Sequence, residues 1–146
     1  MGFFEKIKNT FDSSEMKRKK SHLKNLYQIA LADGKIENKE FDFLLSVCDR
    51  IYLERNNLQE IVNYCEDIQF YIPKNINEKI DNLYDYVLMS IIDGEISESE
   101  IAYCKLFAIK YGFNPTVIET IFKELINSIL VGIAREIIIS RILKLL

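Results

Sequence analysis

The stretch Asp33-Gly34-Lys35-Ile36-Glu37-Asn38-Lys39-Glu40 returns sixty residues later as Asp93-Gly94-Glu95-Ile96-Ser97-Glu98-Ser99-Glu100. The Asp-Gly pair, the isoleucine and the final glutamate keep their spacing. Ahead of the first copy, Leu26-Tyr27-Gln28-Ile29-Ala30-Leu31-Ala32 is apolar almost all round, and residues 83–92 repeat that character. Helices of this kind belong in the middle of a bundle. Behind each copy lies a single apolar stripe at helical spacing. It reads Phe41, Leu44, Val47/Cys48 and Ile51 in the first, and Ile101, Cys104, Phe107/Ala108 and Tyr111 in the second. Leu58 and Ile61 of a third helix align with Ile118 and Ile121, where Asn114-Pro115 supplies an N-cap followed by proline at the first helical position.

These patterns predict an all-α fold: one compact bundle of about 7–8 helices, built from two pseudo-symmetric three-helix repeats plus N- and C-terminal helices. Residues 1–20 read as an amphipathic and basic arm, and residues 21–146 as the helical domain. Within it, repeat 1 covers about 21–68 and repeat 2 about 77–128, with a largely buried closing helix to 146. Ser21 is the expected N-cap of the first main helix. Arg135, Glu136, Arg141 and Lys144 interrupt the apolar C-terminal stretch and argue against a membrane span.

A chain of 146 residues with 49% apolar side chains can bury a real core. Two prolines and five glycines fit helices better than a many-turned β architecture. The net charge of −3 excludes an overall basic nucleic-acid binder. Cys48, Cys65 and Cys104 are odd in number and lack a C-x-x-C pair, so neither a disulfide framework nor a zinc site is expected. With no secretory signal pattern, a reducing cytoplasm, with peripheral contact at the inner membrane face, is the expected location.

Each Asp-Gly motif first reads as punctuation. The glycine takes a left-handed conformation that ends one helix, and Ser97-x-x-Glu100 is a capping box that starts the next. Glu37 stands where Ser97 does and is expected to be the poorer cap. An EF-hand is excluded, because its first and third ligand positions would be Ile29 and Leu31, or Met89 and Ile91. Helical spacing leans Asp33 and Asp93 toward the shared core. With Glu40 and Glu100 nearby, carboxylates so gathered must share a proton, be hydrogen-bonded or bind a divalent cation.

In the arm, Phe3, Phe4 and Ile7 share a face opposite Lys6 and Lys8, and Lys17-Arg18-Lys19-Lys20 follows. Docking on the parent domain, a protein partner or an anionic membrane surface all suit that pattern. No nucleophile–base pair, phosphate loop or paired metal-ligand histidines can be identified, so the sequence points away from an enzyme. The single histidine, His22, is expected in solvent.

The motif Ala32-Asp33-Gly34-Lys35-Ile36 with Glu40, repeated as Ile92-Asp93-Gly94-Glu95-Ile96 with Glu100, resembles the TerB-like (tellurite resistance protein TerB) family. The resemblance implies a compact helical domain with internal pseudo-symmetry, acting in bacterial stress responses to tellurite and other oxyanions and attached elsewhere to co-chaperones and other partners. It also implies an acidic, metal-binding site formed by Asp33, Glu40, Asp93 and Glu100.

Overall fold

The structure is a computed structural model and describes residues 12–146. Among these residues it is all-helical, with seven α-helices. They are α1 (Ser14–Ala30), α2 (Asn38–Arg50), α3 (Arg55–Tyr64), α4 (Ile76–Ile91), α5 (Glu98–Lys110), α6 (Pro115–Leu130) and α7 (Arg135–Leu145). Short 3-10 turns close α1 (Leu31–Asp33) and α3 (Cys65–Asp67). Phe3, Phe4 and Ile7 lie outside the described residues.

Helices α1 and α4 form the centre, packed on each other, with α2, α3, α5, α6 and α7 around them. Both central helices bury residues on several sides: Leu23, Leu26 and Ile29 in α1, and Ile80, Leu83, Tyr86 and Val87 in α4. That is the consequence of their near-continuous apolar runs. Helices α2 and α5 each span 13 residues at an offset of sixty, and each is preceded by a left-handed glycine, Gly34 (φ 94°) or Gly94 (φ 93°). Asn75 and Asn114 cap α4 and α6 through their side chains.

The helix start differs from the sequence expectation. Ser13, not Ser21, is the N-cap, its hydroxyl accepting the Met16 N–H. The Lys17–Lys20 run is therefore helical surface rather than arm. Strong helix formers carry the helix back over it, and Lys20 is itself buried, paired with Asp12 (2.6 Å) and Glu60 (3.0 Å). A buried ammonium with two carboxylate partners cannot be a membrane contact, which removes Lys20 from that set. Ser21 is buried and accepts the backbone N–H of Tyr71 at 2.9 Å, tying the inter-repeat segment to α1.

Two further expectations change. Phe41 is 43% exposed, while Phe43 is buried. At about 100° per residue, these positions lie on opposite flanks of the stripe, roughly 80° from its centre, so neighbouring helices decide which flank is covered. On α5 the opposite flank is chosen: Ile101 is buried and Tyr103 exposed. The closing helix is also less buried than its composition suggests. The chain turns at Gly132 (φ 81°) and α7 buries only Ile138 and Ile142, with Ile137 and Leu145 half-exposed. Among the described residues, no helix is long and apolar enough to cross a membrane.

Candidate functional site

The two Asp-Gly motifs meet at one end of the bundle. Ser97 Oγ donates to both carboxylate oxygens of Asp33 at 3.1 Å, and Ser99 Oγ also bonds Asp33. The end of α1 is thus pinned to the start of α5. Contrary to the sequence expectation, both aspartates are exposed. The α-helix stops at Ala30, and the tighter 3-10 turn rotates Asp33 out of the line of Leu23 and Leu26. The buried carboxyls are the glutamates: Glu40 and Glu100 are each 3% exposed.

Their roles diverge although their positions match. Glu40 reaches back to its cap residue, accepting the Glu37 N–H at 3.0 Å. In the second copy the equivalent Ser97 N–H goes to the Ser90 carbonyl (3.4 Å). Ser97 does cap α5, accepting the Glu100 N–H at 3.3 Å, but the return half of the box is not made. The copy expected to cap poorly closes its box, and the copy with the better cap residue leaves its glutamate free. Glu100 turns instead toward Asp33 and Glu40, sharing hydrogen bonds with both carboxyls, and its Oε1 is buried with no partner.

Burial, the hydrogen bond to Asp33 and the charge of Glu40 push the Glu100 carboxyl up to about 9. Glu40 is raised as well, mainly by burial. Asp33 is lowered by the hydroxyl of Ser99 and by Glu100, which donates to it. Asp93 sits at the rim. Its charge acts on Glu40, while its Oδ1 accepts the Glu95 N–H at 3.1 Å. Lys39 and Glu37 replace Ser99 and Ser97 in the first copy, so Asp93 lacks the serine clamp that Asp33 has.

The family described as tellurite resistance protein TerB has a model that matches residues 1–63. Over those residues the chain is similar to the TerB family. The match includes Asp33 and Glu40 and ends before Asp93 and Glu100. No curated protein and no solved structure matches the chain.

Whether the acidic pole suits a metal follows from its donors. Carboxylate and hydroxyl oxygens are ligands for a hard cation. Among the described residues, no group of three or more His, Cys, Asp or Glu side chains stands ready-made around a metal position. Burial and the neighbouring carboxyls favour a proton on Glu100. A cation would have to displace that proton and turn at least one side chain.

A second polar cluster escaped the sequence reading. Asp85 is 0% exposed at the centre of the bundle. It bonds His22 Nε2 at 2.8 Å, receives a two-pronged contact from Arg50, and pairs with Arg135. Arg135 also holds Asp81 at 2.7 Å and covers the Tyr84 ring. One carboxylate thereby joins α1, α2, α4 and α7. Burial alone would raise the Asp85 carboxyl, but His22, Arg50 and Arg135 together hold it well below the usual carboxylate range. His22 is buried, not solvated: its Nδ1 lies 3.2 Å from the Tyr86 hydroxyl, which also meets Asn25 (3.0 Å) and Tyr111 (2.6 Å). Each member of this network is bonded to another protein group, which ties four helices together around Asp85.

Proposed function

We propose that this TerB-like domain is a non-enzymatic module of a bacterial stress response of the tellurite-resistance type, working by binding a hard divalent cation at its acidic pole. Asp33, Glu40, Asp93 and Glu100 are the ligating carboxylates. The observation that carries this reading is Glu100: a buried carboxyl freed from its capping role, with an unpartnered oxygen, set against two other carboxyls. Oxygen-only donors favour Ca²⁺, Mg²⁺ or Mn²⁺ over a thiophilic metal. The two halves read as one duplicated three-helix unit, supported by the equal lengths and sixty-residue offset of α2 and α5. Duplication supplies a pair of carboxylates from each half to a single pole.

Because a cation and a proton compete for the same oxygens, binding strengthens as the pH rises. Thermal melts at about pH 8 with Ca²⁺, Mg²⁺, Mn²⁺ or Zn²⁺ test the reading. A cation at about a hundred times its Kd stabilises the folded state by about 2.7 kcal/mol. At roughly 3 °C per kcal/mol for a chain of this size, Tm rises by about 8 °C. No shift at millimolar concentrations of any of the four, or a shift retained by Asp33→Asn with Glu100→Gln, overturns the cation site.

A further inference from the structure

The end of the domain opposite the acidic pole has the reverse character. Residues 33–42 and 93–100 hold eight carboxylates against two lysines, whereas residues 12–24 hold five basic side chains against two acidic ones. Helix α1, 17 residues long, runs from the basic end to the acidic one and separates them by about 25 Å.

At the basic end Tyr52, Ile72 and Lys74 are exposed, and Lys17, Arg18, Lys19 and Tyr71 are half-buried beside them. Tyr52 is 87% exposed and has φ 62°, the single non-glycine with positive φ among the described residues. The residue at the matching place after α5 is Gly112, with φ 97°. A tyrosine held there stores strain of about 1–3 kcal/mol, and at this exposure no packing offsets it. Its ring lies 6.0 Å from the Lys19 ammonium. The Lys17 ammonium lies 5.9 Å from the ring of Tyr71, and the neighbouring Ile72 is 51% exposed. Arg18, Lys19, Tyr71 and Lys74 line one cleft of about 380 Å³.

The acidic groups of this cleft are engaged within the protein. Glu15 pairs with Lys19 (3.4 Å), Glu78 accepts the Lys74 backbone N–H (3.1 Å), and Asp81 pairs with Arg135. The eleven residues that precede Asp12 continue the same chemistry in sequence, with Phe3, Phe4 and Ile7 beside Lys6 and Lys8, and Asp12 is anchored on Lys20 at this end.

We infer that this face docks on an anionic lipid bilayer, with Tyr52, Tyr71 and Ile72 entering the interfacial layer and Arg18, Lys19 and Lys74 meeting headgroup phosphates. Tyrosine places an apolar ring and a wet hydroxyl across such a boundary, and basic side chains are drawn to the anionic leaflet. The acidic pole is repelled by the same surface, so the domain stands with α1 pointing away from the bilayer and the carboxylate site facing water.

The test is co-sedimentation of the full chain with vesicles of equal parts phosphatidylcholine and phosphatidylglycerol, against vesicles of phosphatidylcholine alone. A chelator is present throughout, so that no divalent cation bridges protein to lipid and the outcome is independent of the acidic pole. Binding is expected to the anionic vesicles, weakening as salt is raised. Tyr52→Asn combined with Lys74→Glu changes two exposed side chains, and asparagine tolerates the left-handed backbone, so Tm is retained. That variant binds at least about tenfold more weakly. Ile96→Ser, at the far pole, binds as the native chain does. Equal binding to both vesicle types, binding to neither, or undiminished binding by the Tyr52/Lys74 variant overturns the lipid-docking face. Binding to neither is also the outcome expected if the face takes an acidic protein instead.

Discussion

Asp85→Ala is expected to cost about 3–5 kcal/mol, because it strands Arg50, Arg135 and His22 around an empty buried position. At roughly 3 °C per kcal/mol, the melting temperature falls by about 9–15 °C, read by circular dichroism. Because Asp85 joins four helices, the loss is global, and backbone amides of α1, α2, α4 and α7 lose hydrogen-exchange protection together. An α7-only loss would show that Arg135 merely anchors that helix. The same group sets the acid limb of stability. Its folded pKa is depressed, so its contribution is complete above the unfolded carboxylate value of about 4 and fades as the pH falls below it. Asp85→Asn keeps the shape and removes that part of the acid dependence.

The second large effect has the opposite sign. Glu100 is raised from an ordinary 4.5 to about 9 in the folded state, so the folded chain holds a proton that the unfolded chain gives up. Stability therefore declines as the pH climbs through that window, and Glu40, shifted in the same direction, adds to the decline. With a chelator present, the native Tm is expected to drop by several degrees between about pH 6 and about pH 9. Glu100→Gln keeps the hydrogen-bonding shape of the protonated acid without a charge to release. It should flatten the decline and melt higher than the native chain at alkaline pH. It should also weaken any cation response at least about tenfold, through loss of a ligand charge. A variant more stable yet blind to metal separates a binding role from a structural one. An unchanged pH slope would show that Glu100 is not the proton holder.

Much of this architecture was legible in the residues. The all-round apolar runs before each Asp-Gly motif mark the two central helices, and the stripes Leu44/Val47/Cys48 and Cys104/Phe107/Ala108 are buried as their spacing requires. Asn75, Asn114-Pro115 and the left-handed Gly34 and Gly94 act locally, within one turn of chain, which is why they could be read without the fold. The tie between the motifs was legible only as a set of residue types. That Ser97 and Ser99 clamp Asp33, and that Glu100 rather than Asp93 is the buried carboxyl, depends on where the start of α5 lies beside the end of α1.

The errors have one physical origin. Lys20, His22 and Asp85 are polar residues that a one-dimensional reading sends to solvent or passes over, yet all three are buried. A charge can be buried only if partners meet it, and those partners stand 40, 63 and 35 residues away in the pairs Lys20–Glu60, His22–Asp85 and Arg50–Asp85. One signal was available: Asp85 interrupts an otherwise apolar run, and a carboxylate on a central helix requires cations from its neighbours. By itself the sequence determined the helices, their stops and their order around two central members, because periodicity and capping are short-range properties of the chain. Only the tertiary structure decided which charges are buried and which Asp-Gly copy surrenders its glutamate, because those outcomes rest on contacts between helices.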